Sequence, residues 1–173
     1  LGSKVKDSEV KTNVDLSVQK VRPYIVTALI KNVELTDPLL KSLMDAQEKL
    51  HLTMGRNREK VAIGLHDFNP IEPPFTYKAV KPEDVSFQPL QKRREMNLKE
   101  ILEQHEKGRE YAFVLEDKER YPIIIDRNDN VLSFPPIING TLTEITEETS
   151  DIFIDMTGTD EKALKDTLNI ICS

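Results

Sequence analysis

The feature that most restricts the fold is a β-hairpin pattern that runs directly into two prolines. The segments YPIIID and VLSF are rich in β-branched and aromatic residues, and the turn-forming sequence RNDN separates them. Pro135 and Pro136 follow at once, and because proline donates no backbone hydrogen bond, the second strand must end there. An Asn139-Gly140 pair then indicates a further turn. The chain therefore contains antiparallel sheet that stops at a rigid Pro-Pro unit.

Further strands and helices follow in an order that does not alternate strictly. Strands are predicted at residues 14–21, 24–35, 60–65, 74–80 and 151–157. Helices are predicted after the capping residues Asp37, Asn97 and Thr159, with Gly55 as a C-cap and another short helix at residues 109–118. This order predicts an α+β fold, with a mostly antiparallel or mixed, sandwich-like β-sheet and helices packed on it.

Length and composition indicate one domain. A polar N-terminal segment, residues 1–13, whose first three residues look like a cloning remnant, precedes a domain predicted at residues 14–173. The last segment still reads as a helix, so we expect the chain to be an excised part of a longer protein. The net charge of −6 argues against a general nucleic-acid binder, although not against a domain to which a neighbouring module delivers a nucleic acid. Cys172 is the single cysteine, which fits a reducing, cytoplasmic compartment.

Common catalytic signatures are absent from the sequence. It has no glycine-rich phosphate loop and no Gly-x-Ser-x-Gly elbow, and its one cysteine and three histidines lack zinc-ligand spacing. No apolar run approaches the roughly 20 residues of a membrane span. If the chain is an enzyme, metal-free acid–base or water-positioning chemistry remains.

The segment DIFIDMT carries a polar spot on an otherwise apolar strand. Side chains alternate between the faces of a strand, so one face presents Ile152, Ile154 and Met156 to a core. The other face presents Phe153, Asp155 and Thr157, with the carboxylate and the hydroxyl roughly 7 Å apart. A solvated outer face and a binding site both fit this spacing.

Two more places concentrate unusual residues. Ser133 precedes the double proline, where freed backbone groups need other partners or face a cavity, although an ordinary sheet-edge terminator has the same pattern. His66 ends a strand before a proline-rich loop. A histidine in that position either holds a substrate carbonyl or a water, or is structural.

These motifs resemble those of a known family. The stretches LMDAQEKLH, VAIGLHDF, PPFTYKAV, YPIIIDRNDNVLSFPPIING and DIFIDMTGTD are similar to the β subunit of phenylalanyl-tRNA synthetase of the archaeal and eukaryotic type. The resemblance runs from about Val14 to Cys172 and falls in the editing module made of the third and fourth B domains. It implies that the chain hydrolyses tyrosine wrongly attached to tRNA(Phe), in a cleft between two subdomains.

The resemblance also implies the site residues. The substrate-binding set is Ser133, Pro135, Pro136, Ile137, Ile138, Asn139, Gly140, Asp155 and Thr157. Asp155 and Thr157 are also catalytic candidates, together with His66, which matches a histidine of the bacterial relatives. An editing site must accept tyrosine and refuse phenylalanine, and a buried group that needs the phenol oxygen penalises phenylalanine by about 1–3 kcal/mol. Asp155 is the expected acceptor, and the backbone N–H groups of Ile138, Asn139 and Gly140 are expected to grip the ester or the terminal adenosine.

The resemblance extends to partners and cofactors. The whole synthetase is an αβ heterotetramer that uses ATP and magnesium, whereas we expect no cofactor in this fragment. The expected partners are mischarged tRNA(Phe), tyrosine and the α subunit, with cytoplasmic localisation and no membrane. A non-catalytic tRNA-binding or scaffold module is the alternative, and an amino-acid sensor is a weaker one. The basic clusters at residues 56–60 and 92–94 either touch the acceptor arm or are solvated surface.

Overall fold

The described residues form two larger β-sheets that pack face to face, with helices on their outer faces, and a small two-stranded sheet of Ser86–Phe87 and Met96–Asn97. A computed structural model describes residues 5–7 and 10–172. Its strands are β1 Val5–Asp7, β2 Thr12–Val14, β3 Tyr24–Ile30, β4 Val61–Asp67, β5 Phe75–Val80, β6 Ser86–Phe87, β7 Met96–Asn97, β8 Tyr121–Ile125, β9 Val131–Phe134, β10 Ile138–Asn139 and β11 Ile152–Gly158. Its α-helices are α1 Asp37–Leu52, α2 Leu98–Gln104, α3 Glu106–Tyr111 and α4 Glu161–Cys172. The predicted α+β class is confirmed.

The first sheet has the order β1-β3-β11-β4, and its described pairs are all antiparallel. The central strand β11 places Asp155 opposite Thr27 of β3 and Gly64 of β4. The face that carries Ile152, Ile154 and Met156 packs against helices α1 and α4 in one apolar core, as the alternation predicts. The Phe153–Asp155–Thr157 face is therefore turned toward the second sheet.

The second sheet has the order β10-β9-β8-β5-β2 and confirms the β8–β9 hairpin. Strand β2 pairs parallel to β5, while the other pairs are antiparallel. One face packs against α2 and α3 through residues such as Leu98, Ile101 and Phe134. The other face supplies Phe75 and Tyr77 to a core that also holds Phe153 of the first sheet. This shared core joins the two sheets and positions the site at their edge.

Several local expectations differ from the structure. The polar N-terminal segment predicted at residues 1–13 contains all of β1, and β2 begins within it at Thr12. Residues 14–21 do not form one strand, because Asp15 accepts a hydrogen bond from the Ser17 N–H and starts a 3-10 turn at Leu16–Val18. The described helices are all too short or too polar to cross a membrane.

The helix ends also shift from their predicted positions. Thr36, and not Asp37, caps α1, and the helix ends at Leu52 before Gly55 is reached. Asp160, and not Thr159, caps α4 by accepting from the Ala163 N–H at 3.0 Å. Asn97 caps α2 in a full capping box with Glu100, as predicted.

The double proline forms a turn and not only a stop. Strand β9 ends at Phe134, and the chain folds back so that Ile138 pairs with Phe134 and Asn139 with Ser133. The peptide bond between Pro135 and Pro136 is cis. The expected Asn139-Gly140 turn is wrong, because Asn139 lies in β10 and Gly140 has an extended backbone.

Candidate active site

A cavity of about 330 Å³ opens between helix α1, strand β4 and the turn that joins β9 to β10. Pro135 and Pro136 are buried and line it, so the double proline ends its strand at a cleft. Polar side chains in the wall are Gln47, Glu48, His51, Arg58, Ser133, Asn139, Thr143, Glu144 and Asp155. The two sheets thus enclose an apolar surface on which a few polar groups converge, as in small-molecule sites generally.

Asp155 lies at the end of a buried chain of three side chains. Its Oδ2 is 2.5 Å from Nε2 of His66, and Nδ1 of His66 is 2.7 Å from Oγ1 of Thr143. His66 is 0% exposed, Thr143 1% and Asp155 1%. Asp155 and Thr143 line the cavity, but His66 does not. His66 therefore reaches a molecule in the cavity only through its two partners.

Thr157 belongs to a second buried network, organised by Arg22. The Arg22 guanidinium donates to Oγ1 and to the backbone oxygen of Thr157, each at 2.9 Å, and to the backbone oxygens of Arg58 and Glu59, each at 2.8 Å. Burial lowers the pKa of Arg22 from its ordinary value to about 10, against the opposing effect of charges that include Asp155. Arg22 thus remains a buried cation at neutral pH, and Thr157 lies outside the cavity wall.

Arg58 crosses the cavity rim and joins helix α1 to the Pro-Pro turn. It donates to the backbone oxygens of Pro136 at 3.2 Å and Ile137 at 2.9 Å, and to Oε2 of Glu48 at 3.2 Å. Its guanidinium carbon lies 4.1 Å from the centroid of the Tyr111 ring. Arg58 is only 8% exposed, so the solvated-surface interpretation of this arginine is wrong.

The backbone that carries Arg58 is strained. Arg56, Asn57 and Arg58 have φ values of 48°, 54° and 71°, the left-handed region that costs a residue with a side chain about 1–2 kcal/mol. Arg22 holds this turn by binding the backbone oxygens of Arg58 and Glu59. Strain that the surrounding structure enforces is often found at functional sites.

His51 is buried and neutral in the cavity wall. Its Nε2 accepts from the Ile63 N–H at 2.8 Å, so its Nδ1 carries the proton and faces Oε2 of Glu48 at 3.6 Å. The Ile63 oxygen instead accepts from the Gln47 amide at 2.7 Å. Burial, with the charge of Arg58, lowers the pKa of His51 from 6.5 to about 4. Burial raises the pKa of Glu48, but opposing interactions, of which the charge of Arg58 is the largest, outweigh it and the net pKa is lowered.

The structure brings most of the predicted site residues together. Those that line the cavity are Ser133, Pro135, Pro136, Ile137, Ile138, Asn139 and Asp155. His66, Thr157 and Gly140 lie behind or beside it, and their roles in binding or catalysis remain predictions. The polar face of β11 is not solvated, because Phe153, Asp155 and Thr157 are all buried between the sheets.

One expected donor is not available. The Gly140 N–H donates to the backbone oxygen of Leu132 at 2.9 Å, so it cannot also grip an ester. The β9–β10 pairing, which the sequence did not indicate, explains this.

Sequence reasoning missed Arg22, which lies behind the wall, and the contact between Arg58 and Glu48 within the wall. Arg22 carries no local signal, because an arginine before a proline is usually exposed. Glu48 lies on the polar side of an amphipathic helix, and Arg58 lies in a basic loop in which only Asn57 hints at a left-handed turn. Among residues 5–7 and 10–172, no group of three or more His, Cys, Asp or Glu side chains is arranged to hold a metal ion.

Two sheets around a cleft with a buried carboxylate in its wall define an α+β domain with a candidate binding site, and sequence comparison places the domain in a family. The profile of the B3/4 domain matches residues 21–171. The chain belongs to the B3/4 domain family.

Individual relatives agree with this assignment. The chain is 50% identical over 167 residues to the phenylalanine–tRNA ligase β subunit of Methanosarcina acetivorans, covering 96% of this chain and 30% of the relative. It is 54% identical over 153 residues to that of Archaeoglobus fulgidus, covering 88% of this chain and 28% of the relative. It therefore spans about three-tenths of these curated relatives.

A solved structure also matches. An N-terminal fragment of the phenylalanyl-tRNA synthetase β subunit from Pyrococcus horikoshii superposes with a TM-score of 0.91 at 44% identity, covering 95% of this chain and 48% of that one. The resemblance to the archaeal β subunit is confirmed.

Proposed function

We propose that this chain is an editing domain that hydrolyses the ester linking tyrosine to tRNA(Phe), as part of a synthetase β subunit that works with an α subunit. The observation that carries the proposal is the position of Asp155. It is a buried carboxylate in the wall of an apolar cavity that also holds Ser133 and the Pro135–Pro136 turn. Such a group provides an acceptor for a phenol hydroxyl at the end of an aromatic ring.

The selectivity follows from the cost of an unmade hydrogen bond. A hydrogen bond to a charged group contributes about 1.5–3 kcal/mol, and phenylalanine leaves that acceptor without its partner. At about 1.4 kcal/mol per factor of ten, one such contact discriminates by about one to two decades. The proline turn supplies a rigid apolar wall against which the ring packs, and the Ser133 hydroxyl lies at the same wall.

The hydrolytic step needs little from the protein beyond positioning. A water adds to the ester carbonyl, the tetrahedral intermediate expels the terminal ribose oxygen, and the water proton ends on that oxygen. The neighbouring ribose hydroxyl of the tRNA assists this proton transfer. The Asn139 amide, at the cavity wall, is a donor for the carbonyl oxygen. We propose no metal or nucleotide cofactor for this step, while ATP and magnesium serve aminoacylation in the whole cytoplasmic synthetase.

The test is deacylation by the whole αβ synthetase carrying Asp155→Ala in this numbering. Hydrolysis of Tyr-tRNA(Phe) should fall by about one to two decades, and rejection of Phe-tRNA(Phe) should weaken. Asp151→Ala is the matched control, because its carboxylate caps the Asn32 N–H at 3.0 Å and lies outside the cavity wall.

The outcome separates editing from a binding role. If the folded Asp155→Ala enzyme hydrolyses Tyr-tRNA(Phe) at the wild-type rate, Asp155 does not read the phenol. A wild-type enzyme that binds tRNA but deacylates neither ester is the result expected of a non-catalytic tRNA-binding or scaffold module.

A further inference from the structure

We propose that Thr143 and His66 are positioning residues that fix the Asp155 carboxylate in one orientation and so set the preference for tyrosyl over phenylalanyl esters. The inference rests on the proposed function. The three residues come from different segments: His66 from β4, Asp155 from β11, and Thr143 from the 3-10 turn Thr141–Thr143 between β10 and β11. Nothing in the local sequence links them, so the fold alone brings these three side chains together.

The carboxylate fixes the direction of the hydrogen bond to Nε2, and a neutral ring then fixes the direction of the bond to Thr143. A carboxylate only accepts, so Nε2 of His66 carries the proton that it shares with Oδ2 of Asp155. In a neutral imidazole the other nitrogen is then an acceptor, and the Thr143 hydroxyl donates to Nδ1 at 2.7 Å. Thr143 thereby stabilises the one neutral tautomer that can bind Asp155. The opposite tautomer would set a nitrogen lone pair against the carboxylate.

This arrangement restricts the carboxylate. Because Oδ2 is held by a histidine that is itself 0% exposed, rotation of the carboxylate would break a buried hydrogen bond. The acceptor left for a phenol hydroxyl is the other oxygen, Oδ1, and its direction relative to the held Oδ2 is fixed before the substrate arrives. Because the carboxylate is already oriented, binding of the substrate loses no free energy to ordering it.

The strand next to Asp155 is shaped to allow this contact. Gly64 is the cross-strand partner of Asp155 in β4. A Cβ atom at Gly64 would lie 2.3 Å from Oδ2 of Asp155 and 2.9 Å from Nε2 of His66. The backbone of Gly64 is not in the left-handed region, so the requirement for glycine is one of space. Glycine at position 64 therefore leaves the space in which the Asp155 and His66 side chains meet.

The first experiment measures kcat/KM for Tyr-tRNA(Phe) and Phe-tRNA(Phe) with the whole αβ synthetase. Thr143→Val keeps the shape and removes the hydroxyl. The tyrosyl-to-phenylalanyl ratio of kcat/KM should fall about ten-fold, and Thr143→Ser, which restores the hydroxyl, should recover most of it. Thr149→Val is the matched control, because it removes another buried threonine hydroxyl that does not line the cavity. That hydroxyl donates to Oδ2 of Asp67 at 3.1 Å, and its loss should keep the wild-type ratio.

The results separate a positioning role from a structural one. If Thr143→Val slows both esters equally, or leaves the ratio unchanged while Asp155→Ala lowers it, the positioning role is overturned and the editing function stands. If Asp155→Ala also leaves the ratio unchanged, both the function and the inference are overturned.

A second measurement needs no variant and so does not depend on the mutants folding. The ¹⁵N chemical shifts of the His66 ring in the 173-residue chain report which nitrogen is protonated. We expect a proton on Nε2 and an unprotonated Nδ1 that accepts a hydrogen bond, as the proposed bond from Thr143 requires. A proton on Nδ1, alone or together with one on Nε2, would overturn the assigned direction of the Thr143 bond.

Discussion

Replacing Arg22 with methionine should destabilise the protein by about 3 kcal/mol. Four oxygens, three of them backbone carbonyls, lose a donor at 2.8–2.9 Å in a site where Arg22 is only 1% exposed. At about 1.5 kcal/mol for each unmade bond the loss is about 6 kcal/mol. Removing the buried charge offsets about 3 kcal/mol of this loss, since burial lowers the pKa of Arg22 to about 10 and each pKa unit corresponds to about 1.4 kcal/mol.

Urea unfolding of the 173-residue chain measures this difference, with a fall in Tm of about 6–12 °C as a second readout. Arg22→Lys should fall between wild type and Arg22→Met, because an ammonium group has three donors and cannot bridge all four oxygens. Lys20→Met is the control, since Lys20 is exposed on the same segment. An Arg22→Met protein within about 0.5 kcal/mol of wild type, the usual range for surface changes, would refute the reasoning.

Two further predictions concern the cavity wall. Because burial lowers the pKa of His51 from 6.5 to about 4, the unfolded chain binds more protons between these values, and stability present above pH 6.5 is lost as the pH falls toward 4. Urea titrations of wild type and His51→Gln should diverge by about 3 kcal/mol over that window, and parallel curves would contradict it. Gly64→Ala should cost about 1–3 kcal/mol and impair Tyr-tRNA(Phe) hydrolysis, because its Cβ meets Asp155 at 2.3 Å. Gly140→Ala, whose Cβ would approach the Val131 oxygen at 3.0 Å, should do less in both thermal melts and deacylation assays.

The parts of the fold that the sequence predicted are those that short-range patterns determine. The β8–β9 hairpin has a turn sequence between two β-branched runs. The side chains of β11 alternate between two faces, and each face packs against a different part of the protein. The Asn97 cap precedes its helix directly, and the structure adds a capping box with Glu100 three residues away. In each case the residues that carry the pattern lie close together in the chain.

What could not be predicted depends on contacts between distant segments. Strand β2 pairs with β5 across about sixty residues of sequence, and its short polar pattern gives no sign of this. The prolines were expected to end a ladder, but whether the chain continues or folds back as β10 depends on which strand lies beside it. Local patterns specify elements, and only the assembled sheets specify their partners.

The candidate site divides in the same way. The residues of the wall, such as Ser133 and Asp155, stand out in the sequence because each interrupts an apolar strand. Their supports do not: Thr143 lies in an unremarkable loop, and Arg22 is a single arginine before a proline. A hydrogen bond between residues more than seventy positions apart, such as the one between His66 and Thr143, produces no periodic pattern in the sequence.

The most direct test of the editing site is a crystal structure of the chain with a non-hydrolysable tyrosyl-adenosine analogue. We expect the ring against the Pro135–Pro136 turn and the phenol oxygen about 2.5–3.0 Å from a carboxylate oxygen of Asp155. The phenylalanyl analogue should bind at least ten-fold more weakly. A tyrosyl ring that lies outside this cavity, or a phenol oxygen that contacts other groups while Asp155 stays unengaged, would contradict the central claim.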